Sequence, residues 1–286
     1  MKNTQNLAKT PAATPAQSLT VRRLLIDLET PFDKHWCGDA FLTAWFNALS
    51  MSFPVGEQFF IDSVRGGVAT LPAAKQAEFA AEVKGFIGQE ATHRRIHSLF
   101  NAQLAAQGLV NGWEKRAAKR IIHIQKTNIR HQVAITAAFE HFTAILADWM
   151  LRNPALLKNA DPRIKTMWLW HAAEETEHKC TAFDVYQALG GNFAWRKIWF
   201  RRVSLIFMGN ALIQTASNLH RDGTLWKRST WQSAWRNLLG KDGLLRGIAK
   251  PWAAYLQADF HPRQQDGAAA EAWLARNAGA YAVVGV

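Results

Sequence analysis

The stretch His171-Ala-Ala-Glu174-Glu175-Thr-Glu177-His178 constrains this 286-residue chain more than any other. On a helix of 3.6 residues per turn, His171, Glu175 and His178 fall at i, i+4 and i+7 and so share one face. Met167-Trp168-Leu169-Trp170 precedes the stretch and Ala182-Phe183 follows it, which marks the face as turned inward. Two imidazoles and a carboxylate buried without partners are strongly unfavourable. A bound metal removes that penalty, provided that other helices bring further ligands.

Apolar periodicity predicts those helices. The first runs from about Gly38 to Gly66, with a kink or restart at Ser52-Phe53-Pro54, because Pro54 has no amide proton to donate. In its second part Glu57 is the only acid among Phe53, Phe60, Ile61 and Val64, and Gly66-Gly67 is read as its end. The second helix has Pro72 in its first turn and runs to about Gln107, with Phe79, Val83, Phe86, Glu90, His93, His97 and Phe100 recurring at steps of three and four. A third spans about Glu114 to Arg152 and carries Glu140 on a face with Thr136, Ala137, Thr143 and Ala147. The fourth starts at the Asp161-Pro162 cap and continues to Gly190-Gly191. A fifth covers about Phe193 to Leu219. No sustained alternation of period two occurs, so no sheet is expected. The segment Val21 to Phe32 reads as either a strand-like arm or a helical turn.

Two Glu-x-x-His pairs stand out, Glu90–His93 and Glu175–His178. Each puts a carboxylate and an imidazole one turn apart, close enough for one ion. Glu57 and Glu140 are the lone acids on the other two helices. Glu57 and Glu90 are separated by 33 residues, and Glu140 and Glu175 by 35, each the span of an antiparallel helical hairpin. One such pair alone is weak. The order Glu, Glu-x-x-His, Glu, Glu-x-x-His is specific, and it resembles the ligand pattern of ferritin-like di-iron or di-manganese carboxylate bundles. The expected fold is therefore all-α, a ferritin-like four-helix bundle holding two metal ions, iron first and manganese or zinc as alternatives.

With His171 added, the donor set Glu57, Glu90, His93, Glu140, His171, Glu175 and His178 resembles that of the arylamine N-oxygenases, which place a third histidine four residues before the last Glu-x-x-His glutamate. His171 is read as a ligand or as a packed histidine beside the site. His97, one turn beyond His93, is a ligand, a proton shuttle or a supporting core residue. Glu174 precedes a ligand glutamate; in several di-iron enzymes an acid there orients the opposite histidine. Gln89 holds the corresponding place before Glu90. Thr143 is a further candidate for a position facing the centre. Over a wider span, Phe53-Pro54-Val55-Gly56-Glu57, Gln89-Glu90-Ala91-Thr92-His93, Trp170 to Lys179 and Phe260-His261-Pro262 are similar to a bacterial family labelled "predicted metal-dependent hydrolase". The two resemblances imply different reactions. The donor set favours O₂-dependent oxidation of a small organic substrate, and the family label implies hydrolysis at the same binuclear site. Iron storage without an organic substrate is disfavoured by the long C-terminal region.

That region changes the composition. Between Gly191 and Pro262 there are eleven Lys and Arg against three Asp, with Trp195, Trp199, Trp226, Trp231, Trp235 and Trp252 among them. Much of the formal net charge of +12 lies here. It suits either general solubility or an anionic partner or surface. The domain reading is a disordered tail over 1–20, the di-metal bundle over 21–191 and a Trp-rich, basic helical extension over 192–286 packed on it. The extension either shapes a substrate pocket or rests on a membrane surface; nucleic acid is disfavoured for want of a recognised motif. The two cysteines, Cys37 and Cys180, form no ligand or disulfide pattern and fit a reducing compartment. The expected location is the cytoplasm, with contact to the inner face of the membrane and homodimerisation left open.

Overall fold

The computed structural model describes residues 18–284. It is all-α apart from one short ribbon, in which β1 (Arg22–Leu24) pairs antiparallel with β2 (Tyr281–Val283), Arg22 opposite Val283 and Leu24 opposite Tyr281. This corrects the expectation of no sheet. Three residues per strand are too few to show a period of two, and the partners are at opposite ends of the chain. It also settles the Val21–Phe32 arm as strand at its start. Most of the expected tail lies outside the described residues, but Leu19 is buried against α3 (Ala73–Ala106). A Cβ on Gly85 would meet Leu19 at 2.6 Å and one on Gly88 would run into Val21, so the two glycines let this arm lie flat on the helix.

The first expected helix is two helices, α1 (Ala40–Ser50) and α2 (Phe53–Ala69), with Pro54 in the first turn of α2, where no intrahelical donor is needed. Gly66-Gly67 does not end α2. A Cβ on Gly67 would come within 2.8 Å of Val133, so that glycine permits close helix packing. Pro72 caps α3 from outside instead of occupying its first turn. The third expected helix is also divided, into α4 (Gly112–Ile124) and α5 (Ile129–Arg152), because the Asn128 side chain accepts a hydrogen bond from the Arg130 amide and starts a new helix. The fourth stops at His178. α6 (Pro162–His178), capped by Asp161, gives way to α7 (Thr181–Ala188). Then come α8 (Phe193–Arg221), α9 (Arg228–Leu239), α10 (Leu244–Ala254) and α11 (Ala268–Arg276).

Helix α2 packs on α3 and α5 on α6, while α2 also meets α5 and α3 meets α6, so these four helices enclose one space. α8 lies along α5 and α1, and α10 and α11 cover α5. Fully buried Phe86, Phe100, Phe142, Trp170, Phe183 and Phe200 belong to one continuous apolar core drawn from both halves of the chain. Among the described residues no helix is long and apolar enough to cross a membrane.

Candidate metal centre

The four enclosing helices bring all seven sequence-predicted residues together in their shared interior. α2 supplies Glu57, α3 Glu90 and His93, α5 Glu140, and α6 His171, Glu175 and His178; all are buried. Their donor atoms form three overlapping groups, Glu57–His93–His171, His93–Glu175–His178 and Glu90–Glu140–His178, each within 4.8 Å. Glu175 is central. Its Oε1 lies 2.9 Å from His171 Nε2, 3.6 Å from His93 Nδ1 and 3.6 Å from His178 Nε2. At the other end His178 Nδ1 is 2.7 Å from Glu140 Oε2, and His178 Nε2 is 3.8 Å from Glu90 Oε1.

Protein contacts do not satisfy these groups. Both carboxylate oxygens of Glu57 and of Glu90, Glu140 Oε1, His93 Nδ1 and His178 Nε2 are buried with no hydrogen-bond partner among the described residues. Buried polar atoms nearly always have partners, and each one without costs about 1–3 kcal/mol. Such a convergence fits a cationic guest. The electrostatics agree. Burial, and then the neighbouring carboxylates, hold Glu57 and Glu90 well above the usual carboxylate range, and Glu140 is raised in the same way. For Glu175 burial acts upwards, but the neighbouring His178 and His171 outweigh it and leave this carboxyl low. Burial holds His93 and His97 well below the normal imidazole value, as neutral rings with a lone pair to offer.

An outer layer aims these rings. His93 Nε2 and Glu174 Oε2 share a hydrogen bond at 2.9 Å; with the carboxylate accepting, the His93 Nδ1 lone pair faces the interior. Burial pushes Glu174 up to about 8, against the pull of Arg22, which donates to its other oxygen at 3.1 Å and also pairs with Glu177 at 2.6 Å. The Gln89 amide donates to Glu177 Oε2 and to the Thr20 carbonyl, so it faces away from the ligands. Glu174 thus stands where the sequence suggested. Arg22 and Glu177 escaped sequence reading, because the ribbon between the chain ends sets Arg22 in place.

A second chain of hydrogen bonds ends on His171. The Ser50 carbonyl can only accept, so Asn101 Nδ2 donates to it at 2.9 Å and Asn101 Oδ1 accepts the Ser50 hydroxyl proton at 2.7 Å. Ser50 Oγ must then accept from His97 Nδ1 at 2.8 Å. Neutral His97 therefore offers its Nε2 lone pair to the His171 Nδ1 proton at 2.6 Å. That leaves a lone pair on His171 Nε2, directed at the Glu175 carboxylate 2.9 Å away. A bound cation would take that lone pair together with a Glu175 oxygen. The spacing suits neighbouring ligands, since atoms ~2.1 Å from one ion at a right angle lie ~3 Å apart. His97 is buried with both ring nitrogens engaged, one by Ser50 and the other by His171. Ser50 and Asn101 carried no signal in the sequence.

Two cavities reach the centre. One, bounded by α2, α4, α5 and α8 and about 110 Å³ in volume, has Glu57 and Thr143 in its lining. The second, about 50 Å³, touches His171, Glu175 and Thr143. The Thr143 hydroxyl donates to the Phe139 and Glu140 carbonyls, so its methyl and oxygen stand in the wall between the two spaces.

Residues 20–266, most of the chain, match the family described as "Predicted metal-dependent hydrolase". No curated protein and no solved structure matches the chain.

Proposed function

The chain belongs to the family of predicted metal-dependent hydrolases, and from that premise we propose that it is an enzyme built on a binuclear carboxylate–histidine centre of the ferritin-like type. The observation that carries this reading is the convergence of seven unpartnered buried donor atoms on one interior space. Four carboxylates with three neutral imidazoles balance the charge of two divalent ions. Glu57, His93 and His171 would hold one ion, Glu90, Glu140 and His178 the other, with Glu175 between them. The order of the acids and Glu-x-x-His pairs along the chain resembles the ligand pattern of carboxylate bundles, which supports the reading.

Hydrolysis is the reaction that the family description supports, and a small ester or amide is the substrate class we take for it. Bound divalent metal would supply Lewis-acid polarisation or, if iron, electrons for O₂. The chain's own residues do the rest. Glu174 holds the His93 Nε2 proton, Asn101 and Ser50 fix the His171 tautomer, and the apolar walls of the larger cavity exclude water beyond Glu57. A second reading, O₂-dependent oxidation, is favoured by one observation: the donors are hard carboxylates and imidazoles with no thiolate, which suits iron or manganese.

Metal analysis followed by two reactions separates these readings. Tight zinc or manganese binding with turnover of ester or amide substrates supports the hydrolase. Anaerobic loading with ferrous iron, then rapid O₂ consumption with a transient absorption band and no hydrolysis, supports the oxidase. Protein that retains no metal under any loading condition sinks both.

A further inference from the structure

We propose that the larger cavity takes an amphiphile, an apolar acyl or aryl body with one anionic head group, bound with the anion at Arg120 and Arg202 and the apolar end towards Glu57. The walls from Phe53 and Phe60 to Ile135, Phe139 and Phe207 are almost wholly hydrocarbon. The only formal cations in the lining are Arg120 on α4 and Arg202 on α8, and both are exposed, so they stand at the solvent end. Glu57 lines the same cavity and is buried, so it belongs to the closed, inner side. Neither arginine makes an ion pair or side-chain hydrogen bond among the described residues; Arg202 only stacks on the Trp199 ring, at 5.4 Å. Their helices leave an anion little competition. α8 contains no acid, and the one acid of α4, Glu114, is engaged by the Asn111 side chain.

An arginine pair at the mouth of an apolar pocket fixes the direction of a bound molecule, because hydrocarbon prefers the walls and the anion keeps its water and its guanidinium partners. The group acted on then lies at the end remote from the anion. Only this last consequence rests on the reading of the centre as a metal enzyme; the binding does not need a metal.

The test is calorimetric titration of the full chain, metal-free and manganese-loaded, with dodecanoate below its micelle concentration. Dodecyltrimethylammonium is the comparison, and metal content is measured on the same samples, so that loss of the metal reading leaves the binding result standing. Saturable one-to-one dodecanoate binding is expected, unchanged by metal. The cation should bind at least about tenfold more weakly, and Arg120→Ala with Arg202→Ala should weaken dodecanoate about tenfold. Ala117→Phe, which fills the cavity from α4, should abolish binding; Ile124→Trp repeats the block if the first variant does not fold. Equal affinity for anion and cation overturns the proposal. So does full affinity in the double arginine variant, or dodecanoate binding that strengthens with metal while the arginines are inert. Binding that survives a folded blocked variant overturns it too.

Discussion

Metal removal should leave this protein short of stability, and Glu57→Leu should restore part of it. Both Glu57 oxygens are buried without a partner, so the substitution loses no hydrogen bond and replaces an acid by hydrocarbon of similar volume. An unpartnered buried polar group costs about 1–3 kcal/mol, so metal-free Glu57→Leu should be more stable than metal-free wild type by about that amount. For a chain of this size each kcal/mol moves the melting temperature by about 2–4 °C, which makes the expected rise about 2–12 °C. Metal acts in the opposite order. An ion at a thousandfold its dissociation constant adds about 4.1 kcal/mol per site, so two sites should raise the wild-type melting temperature by about 15–30 °C. Glu57→Leu removes one ligand and should respond less. Calorimetry or circular dichroism melts on chelated and metal-loaded samples read all four states. If metal-free Glu57→Leu melts below metal-free wild type, or if metal shifts both proteins equally, Glu57 is not a ligand waiting for a cation.

Three further outcomes follow from the same contacts. Glu174→Ala should weaken metal affinity about 10–100-fold without unfolding the bundle, by freeing the His93 ring; competition with a chromophoric chelator measures it. Asn101→Leu releases the Ser50 proton that sets the polarity of the His97–His171 pair, and ¹⁵N shifts of the metal-free protein should change from a His171 protonated at Nδ1 to a mixture of tautomers, a result that a fixed Nδ1 proton in the variant would refute. Stability should also depend on pH in a sense set by the metal. Glu57, Glu90 and Glu140 are raised, first by burial, so the metal-free fold binds protons that the unfolded chain releases above its ordinary value of 4.5, and their contribution to stability falls as pH rises from there. Glu175 is lowered and contributes in the opposite sense, its share being lost only in acid. Binding metal expels the three protons, so apparent affinity should rise with pH, and calorimetry in two buffers should detect proton release.

The convergence of these acids was legible because a helix face obeys a period and a hairpin obeys a length. Glu57, Glu90, Glu140 and Glu175 each interrupt an apolar stripe at a spacing that antiparallel helices impose. What was not legible is what depends on contact between distant segments. Lys126-Thr127-Asn128 breaks the third expected helix although neither proline nor glycine marks it, because capping by Asn128 competes with continuation. Gly66-Gly67 looked like a stop and is instead a point of close approach to α5. Arg22 reaches Glu174 only because β1 finds β2 across the length of the chain, and Ser50 and Asn101 acquire meaning only once α1 lies beside α3.

These outer contacts are unequal for the two halves of the centre, and that inequality has a consequence. His93 is fixed from outside by Glu174, and His171 by His97. His178 has no such support. Its Nδ1 is bound to Glu140, itself a donor to the centre, and its Nε2 is unpartnered. The position before Glu90 that would mirror Glu174 is Gln89, and its amide is committed to Glu177 and Thr20. Supporting contacts of this kind typically change metal affinity about 10–100-fold. The ion held by Glu90, Glu140 and His178 should therefore leave first. Stepwise chelation of the manganese-loaded protein should show two phases separated by about that factor, with Glu90→Gln removing the weaker phase and His171→Ala the tighter one. A single phase, or the opposite assignment, would mean that the outer hydrogen bonds do not set the strength of the two sites.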